Sequence, residues 1–70
     1  MISIGQLVAS HYGDERILLG MIMGQQYLSD VWVVEWYDVG EQFQITYNTE
    51  SLRGLLKNYK RLRSELCKTQ

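Results

Sequence analysis

Few side chains in this sequence could act as nucleophiles, bases or metal ligands. His11 is the only histidine and Cys67 the only cysteine among the 70 residues. A nucleophilic mechanism needs a nucleophile beside a base that a third group orients, and a zinc site needs about four Cys, His or carboxylate ligands. The carboxylate pair Asp14 and Glu15 lies in a predicted turn, where acidic residues are common for conformational reasons. There is also no glycine-rich phosphate loop. We therefore expect no enzyme, no cofactor and no metal site.

The aromatic side chains suggest binding instead. Trp32, Trp36 and Tyr37 lie in one apolar segment, residues 31–37. Aromatic side chains can form a cage that holds a cation by cation–π attraction. However, the spacing of Trp32 and Trp36 places them on one face of a strand, which favours core packing. Tyr37 and Tyr27, the latter in a predicted loop, are expected to be exposed and able to anchor a partner.

A second candidate surface is basic. Residues 50–70 carry six bases and two acids, a net charge of +4, whereas residues 1–49 carry one base and six acids, a net charge of −5. On a helix of 3.6 residues per turn, five of the bases fall within an arc of about 100°. These bases are Arg53, Lys57, Lys60, Arg61 and Lys68. A face of this kind is often only solvated, but it could contact an acidic protein surface or nucleic-acid phosphates. The slightly acidic chain and the absence of an aromatic residue in the arc favour protein over nucleic acid.

The elements that must position these residues begin with a β-meander. β-branched and aromatic residues, or alternation of apolar and polar residues, predict four strands. The predicted strands are residues 4–10, 17–23, 31–37 and 42–47. Turns are predicted at residues 12–15 and 38–41, with a polar loop at residues 25–30. In the fourth strand Phe43, Ile45 and Tyr47 are expected to face the core, and the residues between them to face water.

The second predicted strand is apolar on both faces. Ile17 and Leu19 lie on one face, and Leu18 and Ile22 lie on the other. Both faces should therefore be covered. We expect the core to cover one face and the helix, or a second copy of the protein, to cover the other. Gly20 is expected to mark a bulge or a sharp bend.

A helix is predicted from about residue 50 to residue 67, because leucines and a tyrosine recur there at spacings of three and four. The apolar positions are Leu52, Leu55, Leu56, Tyr59, Leu62 and Leu66. Asn48 or Thr49 is expected to cap the first turn. This stripe is larger than a four-stranded sheet needs, so part of it is expected to contact a second chain. The acidic strands of one copy could also meet the basic helix of another, giving a symmetric dimer.

Three segments follow a recognisable order of residue types. Residues 4–8 read Ile-Gly-Gln-Leu-Val, residues 19–22 begin Leu-Gly, and residues 31–38 read Val-Trp-Val-Val-Glu-Trp-Tyr-Asp. They resemble the opening, second and third strands of small SH3-like barrels of the Tudor/KOW kind, whose opening usually has Asp where Gln6 stands. The resemblance covers about residues 2–52 and leaves out the helix. Because such proteins are common in tailed phages, it implies a phage-encoded protein that binds a host or virion protein.

Together, these features predict one mainly β domain over residues 1–70. Its expected fold is a small SH3-like antiparallel barrel or meander of four to five strands over residues 2–48, followed by an amphipathic C-terminal helix. A chain this short buries only about 60% of its unfolded surface. Because neither a disulfide nor a metal is expected to stabilise it, association with another chain is the expected source of extra stability.

The expected function is that of a non-enzymatic protein–protein interaction module. The predicted partner-binding residues are Arg53, Lys57, Lys60, Arg61, Tyr27 and Tyr37. Two alternatives are a nucleic-acid-associated accessory protein that uses the basic helix and a structural homo-oligomer. We expect no small-molecule substrate. We also expect no membrane partner, because the longest apolar run, residues 17–23, is too short to cross a bilayer. The single cysteine and the lack of a secretory signal indicate the cytoplasm, which is the host cytoplasm if the protein is viral.

Overall fold

Four antiparallel strands in one sheet precede a single C-terminal helix in the computed structural model, which describes residues 2–12, 16–26 and 29–68. The elements are β1 (Leu7–Tyr12), β2 (Arg16–Gln25), β3 (Val31–Asp38), β4 (Glu41–Asn48) and α1 (Thr49–Lys68). The strands lie in the order β1-β2-β3-β4. The prediction of a mainly β fold with one C-terminal helix is confirmed. The sheet is open, because β1 and β4 neither pair nor contact each other over the described residues.

Tight connections set the register of the sheet. Asp38 pairs with Glu41, leaving two residues between β3 and β4, and Gly40 adopts a φ of 76°, which glycine reaches without steric cost. The predicted hairpin turn at residues 38–41 is therefore confirmed. The first strand begins later than predicted, at Leu7, because the chain turns at Gly5, whose φ is 91°. The predicted turn at residues 12–15 lies largely outside the described residues.

The core lies on one face of the sheet. It is formed by six buried side chains, one of which comes from the helix. They are Val8, Leu18, Ile22, Val34, Trp36 and Leu52. The indole Nε1 of Trp36 donates a hydrogen bond to the Tyr47 hydroxyl over 3.0 Å, and the two rings meet edge to face with centroids 6.2 Å apart. This bond satisfies the polar atom of the largest buried side chain.

Gly20 provides space for the core rather than a bulge. It pairs in continuous register with Val8 on one side and Trp36 on the other. A Cβ atom at Gly20 would lie 2.8 Å from Cε3 of Trp36, so the indole ring occupies the space of the missing side chain. The register of β2 instead shifts between Ile22 and Gly24. The prediction of a bulge at Gly20 is therefore wrong, and the register shift lies two to four residues further along the strand.

The helix packs mainly against β1 and makes fewer contacts with β4 and β3. Its start is capped by Asn48, whose Oδ1 accepts a hydrogen bond from the backbone N–H of Ser51 at 2.8 Å. Asp30 accepts hydrogen bonds from both the backbone N–H and the hydroxyl of Thr49, which ties the loop before β3 to the first turn of the helix. These contacts fix the start of α1.

Candidate binding surfaces

The face of the sheet opposite the core carries an exposed apolar surface, which we call the outer patch. It consists of Leu7, Ile17, Leu19, Met21 and Tyr37. Leu19 is 44% exposed, Ile17 40% and Tyr37 36%, and Met21 is half-buried. Leu7 pairs with Met21, and Leu19 pairs with Tyr37, so the patch runs continuously across three strands.

The outer patch is open because the helix covers a different strand. Val8 and Ala9 are successive residues of β1 and point to opposite faces, yet they are 0% and 2% exposed. Both faces of β1 are therefore covered at Val8 and Ala9, in keeping with the packing of α1 against this strand. On β2 the core face is buried, whereas Ile17 and Leu19 on the other face are not. The expected cover for the second face of β2 is not supplied by the helix.

Tyr37 gives the outer patch a polar component. Its hydroxyl donates a hydrogen bond to Oε2 of Glu35 over 3.1 Å. Partial desolvation of the phenol, this hydrogen bond and the negative charge of Glu35 all raise the pKa of Tyr37 above 10.0. The side chain is therefore a neutral phenol at physiological pH, with an apolar ring and a polar end. Its predicted exposure is confirmed, whereas Tyr27 lies outside the described residues.

The predicted basic surface is divided between two flanks of the helix. Arg53, Lys57 and Lys60 line an open cleft of about 320 Å³ together with Gln6 and two apolar side chains, which are Ile2 and Leu56. Arg61 instead lines a separate depression on the other flank, beside His11 and Ile17.

The cations of the cleft are available to an external partner. Arg53, Lys57 and Lys60 are exposed and form no ion pair with any carboxylate in the described part of the chain. Arg61 differs, because its Nη2 atom donates a hydrogen bond to Oδ1 of Asn58 over 2.8 Å. The structure thus brings together three of the four basic residues that were predicted to bind a partner. The side chain of Lys68, the fifth base of the predicted arc, is not described.

The two tryptophans do not form an open aromatic cage. Trp36 is only 2% exposed and its Nε1 is bonded to Tyr47, so its predicted core position is confirmed. Trp32 is half-buried, packs against the core, and donates a hydrogen bond from Nε1 to Oγ1 of Thr49 over 3.1 Å. Both indoles are engaged inside the chain, and neither face of Trp36 is open to a cation.

Sequence reasoning did not identify the exposed side of β4. Phe43 and Ile45 were expected in the core, but they are 36% and 42% exposed, and only Tyr47 is half-buried. The alternation predicted the correct face, but it could not show that the helix leaves that face partly uncovered. These side chains line an apolar cleft of about 120 Å³. The cleft residues are Ser10, Leu18, Trp36, Phe43, Ile45 and Tyr47.

The described residues contain no group of three or more His, Cys, Asp or Glu side chains placed to hold a metal ion. Over the same residues, no helix is both long enough and apolar enough to cross a membrane. Comparison of the chain with protein-family models, with curated proteins and with solved structures finds no match. The resemblance to SH3-like barrels therefore stays a prediction from the sequence.

Proposed function

We propose that the protein is a non-enzymatic interaction module that binds a partner protein through the outer patch. The observation that carries this proposal is the continuity of the patch: Leu19 and Tyr37 face each other across β2 and β3, and both side chains are more than one third exposed. A contiguous exposed apolar surface on a folded domain commonly marks an interaction site.

The surroundings of the patch also suit a protein partner. Arg61 lies beside Ile17 at one margin, and Glu35 lies beside Tyr37 at the other. Apolar centres with polar margins are typical of protein–protein interfaces, and tyrosine and arginine are enriched among the residues that dominate binding energy. The resemblance to small SH3-like phage proteins supports a host or virion protein as the partner, met in the host cytoplasm.

A charge substitution in the patch tests the proposal. Tagged wild-type protein, Leu19→Lys and Val39→Lys would be compared for proteins retained from a nuclease-treated bacterial lysate. Binding of the purified partner would then be measured by calorimetry. Val39 is a matched control, because it is apolar and 90% exposed but lies in the β3–β4 turn outside the patch. We expect wild type and Val39→Lys to bind equally and Leu19→Lys to bind at least tenfold more weakly. Equal binding by all three proteins would contradict the proposal.

One observation favours a second function. The cleft that contains Arg53, Lys57 and Lys60 gathers three cations that have no ion-pair partner among the described residues and could contact the phosphates of a nucleic acid. The variant Lys57→Glu/Lys60→Glu should then lose retention on nucleic acid, and wild-type retention should fall steeply with salt. If this variant behaves as wild type, the nucleic-acid alternative is wrong.

A further inference from the structure

We propose that β4 pairs in antiparallel orientation with β4 of a second copy of this chain, joining two four-stranded sheets into one. β4 is an edge strand, with β3 on one side and no strand on the other among the described residues. Seven of its eight residues are exposed. In an antiparallel ladder every second residue of such a strand directs its N–H and C=O groups away from its neighbour, so these groups are available to another strand.

The edge of β4 lacks the features that prevent pairing. Proteins usually protect an exposed edge with lysine, proline, a bulge or a covering element. Residues 42–48 contain no charged residue and no proline. The pairing of β4 with β3 runs through eight consecutive residue pairs without a register shift, so the strand is regular along its length. The opposite edge of the sheet differs in degree, because α1 packs mainly against β1 and makes fewer contacts with β4.

The apolar side of β4 is complementary to itself. A two-fold axis through Ile45 places Ile45 opposite the partner's Ile45, and Phe43 opposite the partner's Tyr47. Aromatic and β-branched cross-strand pairs of this kind stabilise antiparallel sheets. Because Phe43 and Ile45 are 36% and 42% exposed and border the apolar cleft, the pairing covers surface that the helix leaves open.

The same register produces no repulsion on the other side of the strand. Gln44 faces the partner's Thr46, and both side chains are uncharged and able to form hydrogen bonds. Glu41, the one charged residue of β4, lies on the core-side row at the end of the strand, and the partner residue at its register position is Thr49, the first residue of α1. This self-complementarity favours a second copy over an unrelated extended peptide as the strand that pairs with the edge. The edge of β4 and its core-side row share no residue with the outer patch.

The register can be tested with charges at two exposed positions, Gln44 and Thr46. In Gln44→Lys/Thr46→Lys, lysines face each other across the two-fold axis at two places. In Gln44→Lys/Thr46→Glu, each lysine faces a glutamate instead. The mass in solution would be measured by sedimentation equilibrium over a concentration series, and circular dichroism would confirm that each variant is folded.

We expect a wild-type dimer, a roughly tenfold or greater weakening in the double-lysine variant, and recovery close to wild-type affinity in the lysine–glutamate variant. A monomeric wild type at the highest soluble concentration, or an unchanged double-lysine dimer, would overturn the proposal. Failure of the lysine–glutamate variant to recover would overturn the register through Ile45. Leu19→Lys should leave the dimer intact. If Leu19→Lys is monomeric while the β4 variants remain dimeric, the outer patch is the self-association surface and the proposal is overturned.

Discussion

Replacing Gly20 with alanine should destabilise the fold, because the new Cβ atom would enter space that Trp36 occupies. The added atom would lie 2.8 Å from Cε3 of Trp36 and 3.0 Å from the carbonyl oxygen of Glu35. Carbon atoms attract each other best at roughly 3.5–4.0 Å and repel at shorter separation. The ring cannot move away freely, since it is 2% exposed and its Nε1 is bonded to the hydroxyl of Tyr47.

The expected magnitude follows from two opposing effects. Adding a methyl group to a well-packed core costs about 1–3 kcal/mol. Alanine also restricts the unfolded chain relative to glycine, which stabilises the protein by about 0.4–1 kcal/mol where the native backbone accepts it. The net effect of Gly20→Ala should be a loss of about 1–2 kcal/mol in the free energy of unfolding. For a domain of this size, that lowers Tm by roughly 5–15 °C.

Urea unfolding followed by tryptophan fluorescence measures this effect, and Gly24→Ala is the matched control. Gly24 lies in the same strand, but a Cβ atom there would have no atom within 4 Å. Gly24→Ala should therefore be neutral or stabilising by up to about 1 kcal/mol. In a Trp36→Phe background the additional cost of Gly20→Ala should shrink, because the smaller phenyl ring has no atom at the position of the indole Cε3. If Gly20→Ala and Gly24→Ala change the free energy of unfolding equally, the reasoning from the Trp36 contact is refuted.

Three further predictions concern single contacts. Tyr47→Phe removes the acceptor of the buried Trp36 N–H and should cost about 1–3 kcal/mol in urea unfolding, so an unchanged midpoint would argue against the bond. Asn48→Ala removes the cap of α1 and should cost about 1 kcal/mol, measured in the same way, and no loss would show that the cap is dispensable. The pKa of Tyr37, obtained by subtracting the tyrosinate absorbance titration of Tyr37→Phe, should lie above 10.0 and fall in Glu35→Gln. Because this pKa is raised in the folded state, the protonated Tyr37 side chain contributes stability that is fully present below pH 10.0 and is lost as the pH rises through the raised pKa. An unshifted titration midpoint would contradict this prediction.

The boundaries of the strands and helix were largely predictable because they depend on local chemistry. The alternation in residues 42–47 predicted β4, and the three-and-four spacing after residue 50 predicted α1, to within one or two residues at each end. The cap at Asn48 and the turn at Gly40 were predictable for the same reason, since a short polar side chain or a glycine satisfies a purely local requirement.

The candidate binding surfaces depend on where those elements meet. Periodicity showed that β2 is apolar on both faces, but it could not show that α1 would lie on β1 and leave Leu19 exposed. The basic arc was readable from helical spacing, yet its division into a cleft at Lys57 and a separate flank at Arg61 depends on the surfaces that the helix contacts.

The sequence by itself determined the element types, the core faces of β3 and β4 and the shortage of catalytic side chains, because these depend on residue identity and on periods of two and 3.6. Only the tertiary structure decided that the sheet stays open between β1 and β4, that Gly20 makes room for Trp36, and that Phe43 remains partly exposed. These outcomes depend on the direction of α1 and on contacts between residues far apart in the chain. Local patterns do not encode such contacts, since each one is decided by how all the elements share a limited volume.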